Sequence, residues 1–462
     1  MEINPTIFRA YDIRGIYPQD INEETSFYIG KAFIEFLKKN KKNKNLNIVV
    51  GRDNRISSPI LFESLTKGIL NSGANVINIG LATTAMLYFS VAHYKFDGGI
   101  EITASHNPPQ YNGFKIVRET SFSIGRDNGL EEIKKLALKL QKQKSAKGDK
   151  KSGRIFRKDV ASDYIRFNLQ DLNLNKARPL RLVVDTANGV AGIIVSKILK
   201  KIKYKTYYLF SKLDGSFPNH LPDPTKEENL RFLKKEVKEK KADLGLALDG
   251  DGDRIVFVDE KGEMILPDLI FALVSNQILK SNPGEKILYT IASSNIVRDT
   301  IKNRGGLPVV SPVGYTFIKE RMRKENIIFA GEYSSHYYPR SHYFSEAPFF
   351  VLFKVLGIIS ESGKKFSEII KPYKKYSYSG DIVFELEDKN LVRKSREILK
   401  RLEKRYKNGD IIKIDGIRVD FPEWWFILRP SNTEPILKLI VEAKSKKLME
   451  EKKRELAKLI SR

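Results

Sequence analysis

Three stretches of this chain repeat one pattern of apolar and polar positions. In each, a short continuous apolar run ends in a polar turn and a helix follows. A second apolar run, another helix and a third run complete the plan, and the third run opens into a polar loop. The first copy reads 47-NIVVGRDNR-55, a helix near 58–72, 75-NVINIG-80 and 99-GIEITASHNP-108. The second has 181-RLVVDTANG-189, 204-YKTYYLF-210 and 243-DLGLALDGDGD-253, and the third has 286-KILYTIASSN-295, 307-LPVVSP-312 and 327-IIFAGEYSSH-336. Continuous apolar strands alternating with helices predict α/β domains with mainly parallel, mixed sheets covered on both faces. Ligands of such sheets bind beyond the carboxyl ends of strands. The loops after residues 102, 248 and 330 fall at one place in every copy, so three related domains would aim equivalent loops into a shared cleft.

From about residue 375 the pattern changes. Strand 381–387, helix 390–407 and strands 410–415, 417–421, 424–431 and 436–443 precede a charged terminal helix. Neighbouring strands with short turns predict an antiparallel sheet and hence an α+β domain. With seams at 142–153, 254–268 and 362–380, the expected domains are 1–150, 151–254, 255–372 and 373–462.

Composition narrows the class. The 462 residues are 41% hydrophobic and 10% aromatic, too apolar for a disordered chain and long enough for several cores. There is no cysteine, which removes disulfides, zinc ribbons and thiol catalysis. No apolar run approaches the ~20 residues that span a bilayer. The opening Met-Glu-Ile-Asn-Pro-Thr lacks the regions of a signal peptide, so a cytoplasmic location without membrane partners is expected. Net charge is +26, much of it in lysine bursts at 38–44, 142–151, 234–241 and 446–454. These read as solvated helix faces with glutamates interleaved. No zinc-finger spacing, RNP signature or GXXG clamp accompanies them, so no specific nucleic-acid partner is expected.

Four loops carry candidate chemistry. In 249-DGDGDR-254, Asp249, Asp251 and Asp253 alternate after a buried strand. Carboxylates gathered so closely repel one another unless a cation joins them. An EF-hand needs Gly at its sixth position, where this chain has Arg254, so a carboxylate Mg²⁺ site with open positions fits better. A solvated Asp-Gly turn is the plain alternative. In 103-TASHNPPQYNGFKI-116, Ser105 and His106 follow a strand, with Lys115 across the Tyr-Asn-Gly turn. Adjacent Ser and His seldom reach each other as nucleophile and base, and no Gly-x-Ser-x-Gly elbow is present. The loop 429-RPSNTEP-435 gathers Arg429, Ser431, Asn432 and Thr433, a set suited to phosphate but also to an ordinary turn. In 331-GEYSSH-336, Glu332, Ser334 and His336 could hydrogen-bond sugar hydroxyls, although a core-facing His336 is the duller reading.

These loops in this order, opened by 8-FRAYDIRGIYP-18, resemble the α-D-phosphohexomutase family, in particular its phosphomannomutase/phosphoglucomutase branch, over essentially the whole chain. The resemblance implies a heart-shaped, four-domain enzyme of three related α/β domains and a smaller α+β domain. It implies that Ser105 is a phosphoserine whose phosphate, with Asp249, Asp251 and Asp253, holds Mg²⁺. It places Lys115, Arg254 and His106 beside the transferring phosphoryl group and Tyr11 and Arg14 in the same lining. Glu332 and Ser334 become sugar readers with His336 beside them. Arg429, Ser431, Asn432 and Thr433 become the clamp for the second phosphate. The implied reaction is reversible transfer between the 1- and 6-positions of hexose phosphates, mannose and/or glucose. It runs through hexose 1,6-bisphosphate as intermediate and activator, in a monomer or homodimer.

The chain departs from the family pattern at Ser335 and Pro348, where glycines are usual, and at Tyr315, where several bacterial members carry His. All three lie in the expected sugar-reading domain, so sugar identity is the open question. Phosphoglucosamine mutase is the rival within the enzyme class. A catalytically silent, basic nucleic-acid-binding protein on a mutase fold is the rival outside it.

Overall fold

Strands apolar on both faces require cover on both faces, and most of the apolar runs form inner strands of the α/β sheets, while Lys205–Leu209 and Leu307–Ser311 take sheet edges and are less buried. The computed structural model describes residues 2–40, 45–143, 153–170, 172, 178–202, 204–385, 391–431 and 436–461. The chain divides into two units: Met1–Leu266, Arg323–Asn326 and Ser334–Ile369 in the first, and Pro267–Met322, Ile327–Tyr333 and Ile370–Arg462 in the second.

In the first unit, one sheet runs Ile13–Ile16, Tyr111–Arg118, Gly98–Ile102, Asn47–Arg52, Asn75–Leu81, Ile155–Arg157. Asn47–Arg52 is parallel to both Asn75–Leu81 and Gly98–Ile102, and every residue of Gly98–Ile102 is buried. Helices Glu23–Asn40, Ser58–Asn71 and Leu130–Lys142 pack over it, with Phe33, Leu65, Ile100, Phe114 and Ile133 in a shared core. Pro59 sits in the first turn of its helix, where a missing N–H costs nothing. The Tyr-Asn-Gly segment is not a turn. Tyr111–Arg118 is already a strand, antiparallel to Gly98–Ile102, and it sets Lys115 directly opposite Glu101. The reversal comes earlier, over the residues that include Ser105.

A second sheet of this unit runs Met264–Ile265, Ile255–Asp259, Leu244–Leu248, Arg181–Asp185, Lys205–Leu209. Leu244–Leu248 is parallel to Arg181–Asp185 but antiparallel to Ile255–Asp259, with Leu248 paired to Ile255. The DGDGDR loop is therefore a hairpin connection, pinned at both ends by buried strands. In both sheets the richest loop joins a parallel strand to an antiparallel one.

In the second unit, Lys286–Thr290 pairs in parallel with Leu307–Ser311 and Phe329–Gly331. The C-terminal sheet is antiparallel throughout, in the order Ser377–Tyr378, Ile436–Ala443, Trp424–Pro430, Ile417–Asp420, Asp410–Ile412, with Ile382–Glu385 also on Ile436–Ala443. Helices Leu391–Arg405 and Lys446–Ile460 join its core through Leu402 and Leu456, against Val419, Phe426, Leu437 and Val441. The lysine burst at 234–241 lies largely in helix Arg231–Glu239, where Lys235–Glu239 and Lys240–Glu236 form surface ion pairs. Among the described residues, no helix is long and apolar enough to cross a membrane.

Candidate active site

Ser105 follows the buried strand Gly98–Ile102 and takes φ +51°, a left-handed backbone that costs an L-residue on the order of 1–2 kcal/mol. Local bonds hold it there. Its N–H donates to Thr103 Oγ1 at 2.9 Å. Its hydroxyl donates to Asp249 Oδ2 at 3.0 Å and lies 3.2 Å from His106 Nδ1. Adjacent in sequence, the two side chains thus come within hydrogen-bond distance of each other. Burial, then the charges of Arg254 and Arg14, hold the His106 pKa well below its ordinary value, so the ring is neutral near pH 7.

The three aspartates are buried and their oxygens lie within 4.8 Å of one another. Asp249 Oδ1 accepts the N–H groups of Asp253 and Arg254, which closes the hairpin loop on itself. Burial, followed by the charges of Asp251 and Asp253, pushes the Asp249 carboxyl well above the usual range. Asp253 is driven the other way. Burial opposes its charge, but Lys115, then His336, outweighs burial and holds it well below the usual range. Lys115 Nζ lies 2.7 Å from Asp251 Oδ2 and 2.5 Å from Asp253 Oδ2. Asp251 Oδ1 is buried without a hydrogen-bond partner among the described residues. An orphaned carboxylate oxygen within an all-oxygen set fits a hard divalent cation.

His336 Nε2 lies 3.2 Å from Arg254 Nε and 3.3 Å from Asp253 Oδ1, and the Nδ1 of the same ring lies 3.0 Å from Ser334 Oγ. Burial works against the Arg254 charge, but Asp249 and Asp223 more than compensate and raise its pKa. Arg14, on the strand Ile13–Ile16, donates to Asp12 Oδ2 and Asn107 Oδ1, both at 2.6 Å. Tyr11 is half-buried in the turn before that strand. One cluster thus gathers Ser105, His106, Lys115, Asp249, Asp251, Asp253, Arg254, Ser334 and His336, with Arg14 attached through the serine loop.

Glu332, Arg429 and Ser431 belong to the second unit. Glu332 is buried just past the strand Phe329–Gly331. Arg429 is buried on the strand Trp424–Pro430, donating to Tyr333 Oη at 3.1 Å, with Asp415 Oδ2 at 3.7 Å. Its Nε has no hydrogen-bond partner among the described residues. Burial disfavours its charge, but Tyr333 and Asp415 raise its pKa. Ser431 is half-buried. Asn432 and Thr433 lie outside the described residues.

The departures from the family pattern have local explanations. Ser335 takes φ +70°, the conformation that favours glycine, and its buried hydroxyl has no partner among the described residues. Pro348 is the first residue of helix Pro348–Ser362, where proline suits as well as glycine. Tyr315 opens helix Tyr315–Glu325 and stacks under Lys319 Nζ at 5.2 Å.

Sequence reading missed Thr84 and Arg55. Thr84 Oγ1 donates to Asp251 Oδ2 at 2.6 Å, and its N–H donates to the Asp251 carbonyl at 3.0 Å. Thr83 caps the helix Thr84–His93 on Met86 N–H, so the capping signal was legible but its partner 167 residues away was not. Arg55, three residues past the strand Asn47–Arg52, binds the serine loop.

Four family profiles match in order along the chain. They are phosphoglucomutase/phosphomannomutase alpha/beta/alpha domains I (residues 5–144), II (162–262) and III (266–376), and the C-terminal domain (384–459). A phosphomannomutase of Methanocaldococcus jannaschii is 35% identical, over 99% of this chain and 98% of its own. A phosphomannomutase/phosphoglucomutase of Pseudomonas syringae is 36% identical, over 96% of this chain and 93% of its own. A solved phosphoglucomutase/phosphomannomutase family protein of Burkholderia thailandensis superposes with a TM-score of 0.89 at 29% identity, covering 99% of this chain and 97% of that one.

Proposed function

The chain belongs to the phosphoglucomutase/phosphomannomutase family, with its three α/β domains and C-terminal α+β domain, and we propose that its phosphoryl group passes through Ser105. As a phosphohexomutase it is an isomerase acting on hexose phosphates. The proposed route runs between the 1- and 6-positions of mannose and/or glucose phosphates, through hexose 1,6-bisphosphate. One observation carries it: the Ser105 hydroxyl lies within hydrogen-bond reach of both a buried aspartate and a neutral histidine, beside a lysine and an arginine.

In the forward step the P–O bond to Ser105 breaks as a sugar hydroxyl oxygen bonds to phosphorus. The proton released by the sugar hydroxyl and the one gained by Ser105 Oγ balance if a single neutral imidazole takes up the first and gives up the second; His106, neutral and 3.2 Å from Oγ, is proposed for that relay. Lys115 and Arg254 supply fixed positive charge for the phosphoryl oxygens, the main protein contribution in phosphoryl transfer. Asp249, Asp251 and Asp253, with the phosphate on Ser105, are proposed to hold Mg²⁺, which when bound polarises and neutralises that phosphate. Glu332, Ser334 and His336 are proposed as hydrogen-bond partners of the sugar hydroxyls. Arg429 and Ser431, with Asn432 and Thr433, are proposed as the clamp for the phosphate that is not moving, and Tyr11 and Arg14 as the remaining lining.

The test is turnover of glucose, mannose and glucosamine 1-phosphates with Mg²⁺ and a trace of bisphosphate, comparing wild type with Ser105→Ala. The expected result is loss of turnover with no phosphate on the Ser105 peptide by mass spectrometry. Full activity of Ser105→Ala would refute the phosphoserine. Turnover of the glucosamine substrate alone would favour a phosphoglucosamine mutase.

A further inference from the structure

Arg55 ends the loop that follows the strand Asn47–Arg52 and is only 1% exposed. A guanidinium carries five N–H donors in a rigid planar fork. All five are spent here. Nε donates to Asp53 Oδ2 at 3.1 Å. Nη2 donates to the Ser105 carbonyl at 2.8 Å and the Asn107 carbonyl at 2.6 Å. Nη1 donates to the Pro108 carbonyl at 2.6 Å and the Tyr111 carbonyl at 3.1 Å. Four of the five bonds therefore hold the main chain of the serine loop from residue 105 to residue 111.

The fork is itself held. Asp53 Oδ1 accepts the Arg55 N–H and the Ser58 hydroxyl, and the Phe217 ring lies 5.0 Å from the guanidinium carbon. Gly250 of the aspartate loop approaches the same carbonyl so closely that an added Cβ would come within 2.5 Å of its oxygen. Arg55 and the aspartate hairpin thus both close on the Ser105 carbonyl.

We infer that Arg55 is a positioning residue for phosphoryl transfer: its fork holds the serine loop in its left-handed turn, so that Ser105 Oγ stays in register with Asp249 and Lys115. With all five donors used and 1% of its surface exposed, it acts through the backbone rather than on the hydroxyl itself. This inference rests on the phosphoserine reading of Ser105. Reacting groups misplaced by about 1 Å lose on the order of 10²-fold in rate, without any contact to substrate being lost. A lysine at 55 keeps a charge beside Asp53, but an ammonium cannot span four carbonyls in one plane.

The experiment compares wild type, Arg55→Lys, Phe217→Leu and Ser105→Ala, measuring kcat, KM for hexose 1-phosphate, the rate of Ser105 phosphorylation from hexose 1,6-bisphosphate, and the thermal midpoint. Arg55→Lys is expected to lower kcat and the phosphorylation rate together by about 10²-fold, with KM within about twofold of wild type. Phe217→Leu, which loosens the fork without removing it, should show the same pattern at about 3- to 10-fold. Wild-type kcat in Arg55→Lys, or a loss confined to KM, overturns the inference. If Arg55→Lys fails to fold, wild-type kcat in Phe217→Leu overturns it instead. An active Ser105→Ala would refute the phosphoserine reading itself, whereas an inactive Ser105→Ala beside a fully active Arg55→Lys would remove only the role of Arg55.

Discussion

Replacing Lys115 by methionine tests whether the aspartate cluster is balanced by this one ammonium. Lys115 Nζ lies 2.7 Å from Asp251 and 2.5 Å from Asp253, and all three side chains are buried. At an effective dielectric of ~20, each contact is worth about 6 kcal/mol of gross attraction. Desolvation offsets much of that, and removing one partner of a buried pair typically costs about 3–5 kcal/mol. Protonation sets a ceiling, because the variant can neutralise one carboxylate rather than keep it charged. Loading a proton onto an aspartate of ordinary pKa at pH 7 costs about 4 kcal/mol. The expected loss is therefore about 3–4 kcal/mol, or roughly 10 °C in the transition of the unit that holds the site. Calorimetry resolves that transition, and it should be run across pH and with Mg²⁺.

The pH dependence has a definite sign. Lys115 holds the Asp253 pKa below its unfolded value, so its stabilisation is present above about pH 4 and fades as pH falls through the folded value. The wild-type term is thus constant from pH 7 down to about pH 4, whereas the carboxylate that Lys115→Met must protonate becomes easier to protonate over that range, so the variant gains stability and the gap should shrink from pH 7 toward pH 4. Mg²⁺ should stabilise the variant more than the wild type, since a divalent cation replaces the missing charge. A loss below about 1 kcal/mol at pH 7, with an unchanged response to Mg²⁺, would refute this account of the cluster.

Three further substitutions probe other parts of the fold. Ser335→Gly relieves a left-handed backbone and an unpartnered buried hydroxyl against about 0.5–1 kcal/mol of glycine entropy, so it should stabilise by about 1 kcal/mol in urea titration. A lower midpoint would show that the serine makes a contact worth more than its strain. Glu101→Gln addresses a buried carboxyl without hydrogen bonds among the described residues, pushed well above the usual range by burial and then by Asp53 and Asp251. Its folded pKa is raised, so wild type should lose stability relative to the variant as pH rises above about 4.5, and parallel pH–stability curves would count against it. Glu332→Ala should raise KM for the sugar phosphate far more than it slows phosphorylation of Ser105, measured side by side, and equal loss would contradict a sugar-reading role.

What was legible in the sequence was whatever local periodicity encodes. The apolar run 244–248 became a strand with all five residues buried, and 286–290 a strand with three of its five buried, each too short for a helix of ordinary length. The strand Tyr111–Arg118 was partly misread as a turn because Asn112, Gly113 and Lys115 lack the β-branched or aromatic character of a strand. Its pairing comes from Ile13–Ile16 on one side and Gly98–Ile102 on the other. Arg55 left no signal beyond a charged residue just past a strand, since its partners are backbone carbonyls 50–56 residues away. Side-chain motifs survive in a sequence, whereas carbonyls look the same in every residue.

The net charge of +26 illustrates the same limit, because its sign is reversed in the buried cluster around Ser105. Each arginine there faces carboxylates: Arg14 faces Asp12 at 2.6 Å, Arg55 faces Asp53 at 3.1 Å, and Arg254 faces Asp249 at 3.8 Å and Asp223 at 4.0 Å. Lys115 lies against Asp251 and Asp253, so these four cations meet six carboxylates. Even with the Asp249 carboxyl pushed upward, this core does not carry the surplus of positive charge that a phosphate dianion would favour. A divalent cation reverses that balance, bringing the core to neutral or positive before the phosphate adds its own charge. Phosphorylation of Ser105 should therefore depend on divalent metal even when the sugar phosphate is saturating, and the surface lysines, screened within ~8 Å at physiological salt, cannot substitute for it.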